Sequence, residues 1–108
     1  MAGKFEFKSS ASGKYMFNLK ASNGQVILTS KHFDEREGAT SAAEAVRSQL
    51  SDGNFERRDA TDGSFYFVLS ADGRELGRSQ MYASARTRDA GIASVQSHAP
   101  GATVVESE

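Results

Sequence analysis

Two stretches decide the fold: Tyr15-Met16-Phe17-Asn18-Leu19-Lys20 and, fifty residues later, Phe65-Tyr66-Phe67-Val68-Leu69-Ser70. Alternate positions of the first stretch are apolar, which predicts a β-strand with one face on a core. A turn dipeptide follows each stretch, Asn23-Gly24 in the first case and Asp72-Gly73 in the second. Such dipeptides between apolar runs are strong hairpin signals. The chain is therefore predicted to contain two similar hairpins.

The similarity between the halves extends beyond the hairpins. With a shift of 50 residues, reduced to 49 after Ser22, ten residues of the segment 5–50 are identical in the second half. Average residue usage would produce about three identities by chance. We interpret the pattern as an internal repeat, about 4–53 and 54–108, and a chain of 108 residues is expected to form a single domain.

Each repeat also predicts a helix after its hairpin. Ala39, Ala43, Val46 and Leu50 fall on one helical stripe, and the second repeat has a matching stripe. Asp34 is predicted to cap the first helix, with Glu37 completing a capping box. The strand predicted over 54–58 follows the first helix just as Thr103-Val104-Val105 follows the second. It can therefore be both the last strand of the first repeat and the first strand of the second.

Several runs resemble the YegP-like family. They are the segment Arg78-Ser79-Gln80-Met81-Tyr82-Ala83-Ser84-Ala85 with Gly91-Ile92-Ala93-Ser94-Val95, and in the first repeat the segments 19–24 and 27–30. The first helix departs from the pattern, because it has Ala42-Ala43 where the second has Gly91-Ile92. The resemblance implies β-β-β-α-β units that share one antiparallel sheet and exchange their last strands. The family is functionally uncharacterised, so no functional residue can be transferred.

The predicted fold class is therefore α+β. Two tandem β-β-β-α(-β) repeats are expected to form one antiparallel sheet with two helices packed on one face. The arrangement should be pseudo-two-fold symmetric, with exchanged C-terminal strands.

Composition disfavours several functions. The net charge is −1, without the basic excess that nucleic-acid binders use to neutralise phosphates. The chain has no cysteine, which excludes disulfides and thiolate catalysis. It also has no apolar stretch of membrane-spanning length. A cytoplasmic protein without membrane association is expected.

Neither histidine indicates a catalytic or metal site. His32 and His98 align with Met81 and Gln49 of the other repeat, so neither recurs. No nucleophile elbow, phosphate-binding loop or familiar metal-ligand spacing occurs. The sequence therefore predicts no enzyme activity, no bound metal and no cofactor, although an enzyme with an unrecognised site stays an alternative.

The predicted binding surface is the sheet face that the helices leave uncovered. Side chains that alternate with core positions should share it; they are Lys14, Met16, Asn18, Lys20, Tyr66 and Val68. Arg86 and Arg88 open the second helix, where they oppose its dipole, and could contact an anion. We predict a small non-catalytic binding or protein-interaction module, with a protein partner or self-association. The alternative is nucleic-acid or small-anion binding through this face or the helix N-termini.

Overall fold

The structure, a computed structural model, describes residues 3–106 of the chain. Neither described helix is long and apolar enough to cross a membrane. A short 3-10 turn, Asp52–Asn54, precedes the fourth strand. In chain order the main elements are β1 (Lys4–Ser9), β2 (Tyr15–Lys20), β3 (Val26–Thr29), α1 (Arg36–Ser48), β4 (Phe55–Asp59), β5 (Phe65–Ala71), β6 (Arg74–Arg78), α2 (Ala85–His98) and β7 (Thr103–Glu106).

The described strands form one sheet in the order β4-β5-β6-β3-β2-β1-β7. Neighbouring strands are antiparallel except β1 and β7, which run parallel with Phe5 opposite Val104. The α+β class is confirmed, but the expectation of a purely antiparallel sheet is wrong at this edge. The reason is the path of α2, which contacts both β3 and β5 and so lies across the strands. This helix brings the chain back to the end of the sheet at which β6 ends, so β7 runs in the direction opposite to β6. Because β1 also runs opposite to β6, β7 and β1 are parallel.

The exchange of last strands is confirmed by the sheet order. β4 follows the helix of the first repeat but pairs with β5 of the second, and β7 follows the helix of the second repeat but pairs with β1 of the first. β4 thus closes the first repeat and opens the second. The order β4-β5-β6 next to β3-β2-β1 gives the pseudo-two-fold arrangement, with β7 added at one edge.

Both helices pack on the same face of the sheet, over aromatic residues of the first two strands of each repeat. Phe17 and Phe67 have no exposed surface and share one core cluster with the buried stripes of the helices. Each ring meets a phenylalanine of the neighbouring strand edge-on, Phe5 to Phe17 at 5.5 Å and Phe55 to Phe67 at 5.6 Å between centroids. Edge-on contacts are a favoured geometry for aromatic pairs. The prediction that Phe17 and Phe67 face the core beneath the helices is therefore confirmed.

A serine recurs in both repeats because it closes the same backbone arrangement. Ser30 Oγ accepts a hydrogen bond from the Phe17 backbone N–H at 2.9 Å and donates to the carbonyl oxygen of the next residue at 2.8 Å. Ser79 Oγ accepts from the Phe67 N–H at 3.0 Å and donates to the following carbonyl at 2.8 Å. These bonds satisfy backbone groups where the strand leaves the sheet. The repeated serines are structural.

The helices begin differently. Ser84 is the N-cap of α2 and forms a capping box with Thr87. The predicted capping box of α1 is wrong, because the N-cap is Glu35 and its side chain makes no capping bond. Asp34 stands one residue too early to reach the free N–H groups, and Glu37 has no capping partner as a result.

The two edges of the sheet differ because β7 covers β1 at one edge, whereas no described strand covers β4 at the other. Phe7 of β1 lies opposite the backbone of β7 and packs edge-on against the core at 5.7 Å from the nearest ring centroid. The equivalent position in β4 is Arg57, and no described strand covers β4. Arg57 donates to Asp89 at 3.1 Å and to Asp52 at 2.9 Å. Charged side chains on an exposed edge oppose pairing with other chains.

Candidate functional site

The sheet face opposite the helices, which we call the open face, carries most of the predicted surface residues. Met16, Asn18 and Lys20 of β2 and Tyr66 of β5 are half-buried on it, and Val68 of β5 is 1% exposed. β3 and β6 lie between these two strands. At about 4.8 Å per strand the two groups are about 14 Å apart. The structure thus places them on one face but in two separate clusters.

Cross-strand pairing defines one row of side chains across the open face. Residues directly opposite each other in a sheet share a face. The row consists of Val105, Glu6, Asn18, Thr29, Arg78, Val68 and Glu56. Thr29 Oγ1 donates to Asn18 Oδ1 at 2.8 Å. The centre of the face is therefore polar, and part of its hydrogen-bonding capacity is used within the protein.

Glu6 organises the charges around the β2 cluster. Its Oε1 lies 3.0 Å from Lys20 Nζ and 3.6 Å from Lys8 Nζ. The nearby Lys20 ammonium lowers the pKa of the Glu6 carboxyl below its ordinary value, and Lys8 adds to the effect. Two of the lysines on the open face thus already have an anionic partner.

Tyr66 lies between two arginines on the open face. The Arg78 guanidinium carbon is 6.0 Å from the Tyr66 ring centroid, and Arg58 lies directly opposite Tyr66 on the neighbouring strand. Each arginine also pairs with a glutamate, Arg58 with Glu56 at 2.8 Å and Arg78 with Glu75 at 3.0 Å. The aromatic ring is therefore held in a polar frame of two ion pairs.

Val68 belongs to the open face but is not available to solvent. It lies outside the core cluster beneath the helices, and its opposite neighbours are Glu56 and Arg78. We infer that the side chains of these ion-paired neighbours cover it, since its strand position faces away from the helices. Val68 therefore packs beneath the side chains of the open face and is not exposed to contact a partner.

Lys14 precedes β2 and is exposed at the end of the open face. Its ammonium forms an ion pair with the Asp34 carboxylate, which lowers the pKa of that carboxyl. The pair joins the start of β2 to the segment that leads into α1. Lys14 is thus separate from the row that runs through Asn18.

Arg86 and Arg88 lie on α2, away from the open-face residues. Arg88 is 9% exposed; its guanidinium lies 3.6 Å from Asp59 Oδ1 and 3.3 Å from Asp89 Oδ1, over the Phe65 ring at 5.6 Å. The charge that opposes the helix dipole is therefore balanced by carboxylates. Arg86 is exposed, so the structure does not combine the two arginines into one anion-binding group.

The histidines lie apart. His32 is exposed, and His98 Nδ1 lies 2.8 Å from the Ser94 carbonyl oxygen on the same helix. Within residues 3–106 there is no group of three or more histidine or carboxylate residues that could hold a metal ion.

Comparison with known proteins agrees with the two-repeat geometry. A domain of unknown function, DUF1508, matches residues 10–56 and again residues 60–106. The chain belongs to the DUF1508 family. A UPF0339 relative from Pseudomonas aeruginosa is 42% identical over 104 residues, which cover 94% of each chain. YegP of Escherichia coli K12, also a UPF0339 protein, is 41% identical over 106 residues and 96% of each chain.

A solved structure supports the same fold. The solution NMR structure of E. coli YegP, described as a protein of unknown function, is similar with a TM-score of 0.93 and 40% identity. The match covers 98% of this chain and 93% of YegP. The resemblance to the YegP-like family is thus confirmed. These DUF1508 and UPF0339 relatives are uncharacterised and supply neither a catalytic nor a specific binding role.

Sequence reasoning missed the ion pairs of the open face. Glu6, Glu56, Arg58, Glu75 and Arg78 were not among the predicted surface residues. Their alternation with Phe5, Phe55 and Leu76 would have placed most of them on this face, but no local pattern shows which charge meets which. A bulge in β6 opposite Leu69 and Ser70 also shifts the alternation, so that counting from Leu76 would put Arg78 on the wrong face.

Proposed function

We propose that this protein is a small non-catalytic interaction module that binds a protein partner through the open face. The observation that carries the proposal is the one-sided packing of the helices, which leaves one face of the described sheet uncovered. Seven strands of about five residues present about 600 Å² on such a face. That area approaches the roughly 800 Å² that each partner contributes to a standard protein interface.

The charges of the open face favour a protein over a nucleic acid. Lys8, Lys20, Arg58 and Arg78 each lie beside a glutamate. Phosphate binding would require these glutamates to be left without partners or to be pushed away, and the chain has no net positive charge to compensate. A mixed-charge surface around an aromatic residue suits a protein partner, since interfaces are enriched in Tyr and Arg.

The test uses Tyr66→Ala, with Arg86→Ala as the matched control on the helical side. Proteins retained from a lysate by the unchanged protein are identified and purified, and each is then titrated into ¹⁵N-labelled protein. A true partner shifts amide signals of β2 and β5, binds the control normally and binds Tyr66→Ala at least about fivefold more weakly, an effect typical of an interface aromatic.

Other outcomes contradict the proposal. Salt-sensitive binding of a single-stranded RNA oligonucleotide that shifts the same amides would replace it with nucleic-acid recognition. A partner whose signals map to the helices would also reject the open face. Concentration-dependent mass that is lost in Tyr66→Ala would instead support the open face as an interface and identify its partner as a second copy of the chain. A cytoplasmic location stays a prediction of the sequence.

A further inference from the structure

A groove with a volume of about 360 Å³ lies beside α1 and is also lined by the start of β6. Its buried or half-buried lining includes Phe33, Ala42 and Leu76, which form an apolar floor. Volumes of 300–1,000 Å³ with apolar floors and a few polar groups are typical of small-molecule sites. The groove is therefore large enough to hold a small ligand.

The groove exists because the two repeats pack one aromatic ring differently. Tyr82 of the second repeat lies against Gly91, where an added methyl group would overlap its phenol, with Cζ at 2.7 Å. The equivalent of Gly91 in the first repeat is Ala42. Its methyl group blocks that placement, and the equivalent ring, Phe33, packs against Gly38 instead, 3.2 Å from the position of an added methyl. The space that Tyr82 fills in the second repeat is thus left open above Ala42.

Charged side chains of both signs surround this floor. Lys31, Glu37 and Arg74 are exposed lining residues, and none of them forms an ion pair within residues 3–106. A fourth charged lining residue, Glu75, is held by Arg78 at 3.0 Å and 3.3 Å. The groove therefore has two cations and one carboxylate without an ion-pair partner, contributed by three separate segments of the chain, and the Lys31 ammonium lies over the Phe33 ring at 5.6 Å.

We propose that this groove binds a small zwitterion with an apolar side group, namely an apolar α-amino acid or a dipeptide of such residues. The ligand carboxylate pairs with Lys31 and Arg74, the ligand ammonium pairs with Glu37, and the side group lies on Phe33 and Ala42. Such a ligand gives each of the three charges an ion-pair partner and covers the apolar floor. The site lies on the helical side and is independent of the protein partner proposed for the open face.

L-phenylalanine is the probe, titrated into the ¹⁵N-labelled full chain. We expect saturable shifts at the amides of Gly38, Ala42 and Leu76, with a dissociation constant on the order of 1 mM for a ligand of this size. N-acetyl-L-phenylalanine lacks the ammonium and L-phenylalaninamide lacks the carboxylate. Each should bind at least about threefold more weakly, since each loses one exposed ion pair. Equal affinity for all three, or the absence of saturable shifts at these amides, would overturn the proposal.

Two exposed substitutions test the charges without disturbing the core. Glu37→Gln should weaken phenylalanine at least about threefold but leave N-acetyl-phenylalanine unchanged, because the acetylated ligand has no ammonium to lose. Arg74→Gln should weaken phenylalanine and leave phenylalaninamide unchanged. Arg86→Gln, at the position of the second repeat equivalent to Glu37, is the control and should bind normally. If all three variants bind phenylalanine equally well, the groove does not recognise the zwitterion.

Discussion

Thr29 and Arg78 occupy equivalent positions in the two repeats and pair with each other across β3 and β6. The local two-fold axis that relates the repeats therefore passes between them. Equivalent bulges flank this point, between Leu19 and Lys20 in one repeat and between Leu69 and Ser70 in the other. At the centre of the sheet one repeat contacts the other, as two subunits do in a symmetric dimer.

The axis makes Gly77 sensitive to substitution. Its equivalent is Leu28, and a methyl group on Gly77 would lie 2.9 Å from Leu28 Cγ and 3.0 Å from the Thr29 carbonyl oxygen. Gly77→Ala should lower the free energy of unfolding by about 1–3 kcal/mol through overpacking. Gly53→Ala is the control, since an added methyl there meets nothing within 4 Å. Urea unfolding of both variants tests the prediction, and equal stability would contradict it.

The buried rings of the second strands should dominate stability. Phe17→Ala and Phe67→Ala each remove a side chain with no exposed surface. Each is expected to cost about 3–5 kcal/mol in urea unfolding. Met81→Ala, at a position that is 57% exposed, should change stability by no more than about 0.5 kcal/mol. A cost below about 1 kcal/mol for either phenylalanine would mean that its ring is not part of the core.

The charged edge strand β4 should keep the protein from self-pairing. Arg57→Phe copies the residue found at the equivalent position of β1, where β7 covers it. On this edge no described strand covers the ring as β7 covers Phe7, and the ion pairs with Asp52 and Asp89 are lost, so we expect the mass to increase with concentration. Analytical ultracentrifugation measures this mass. Arg57→Gln removes the charge without adding a ring and serves as the control. A monomeric Arg57→Phe at high concentration would show that Arg57 does not protect the edge.

The effect of Lys20 on the pKa of Glu6 should be measurable in a pH titration of the Glu6 carboxyl. The ion pair lowers the pKa of Glu6 from 4.5, so the stabilisation is present above that value and is lost as the pH falls through the lower folded-state pKa. In Lys20→Met the pKa of Glu6 should rise, as followed by carboxyl ¹³C NMR. The lowered pKa of Asp89, which depends first on Arg57, should stay unchanged. An unchanged Glu6 titration would mean that Lys20 does not interact with it in solution.

Local features of the fold were predictable because they depend on residues close in sequence. The turn at Asn23-Gly24 is confirmed, with Gly24 at φ 87° and its N–H donating to the Ala21 carbonyl at 2.9 Å. Alternation along β2 correctly assigned Phe17 to the core and Asn18 to the opposite face. The cap of α1 was not predictable to the residue, since the helix begins where its packing allows and leaves Asp34 outside.

The candidate surface was predictable only as a set of strand positions. Alternation along β5 put Tyr66 and Val68 on the open face, and both lie there. It could not reveal that Val68 is covered or that Tyr66 lies beside Arg78, because these relationships depend on the register of strands that are distant in sequence. The sequence difference between Ala42 and Gly91 indicated different packing of the two helices but not the groove that results.

By itself the sequence determined the two repeats, the periodicity of their strands and helices and the glycine turns, since short-range sterics and hydrophobic spacing set these features. Only the tertiary structure decided that β7 runs parallel to β1, that Arg57 rather than a phenylalanine faces the free edge, and that Phe33 leaves open the space that Tyr82 fills. These outcomes depend on which segments become neighbours and on the room that one side chain leaves for another. Contacts between distant residues therefore make two similar repeats unequal.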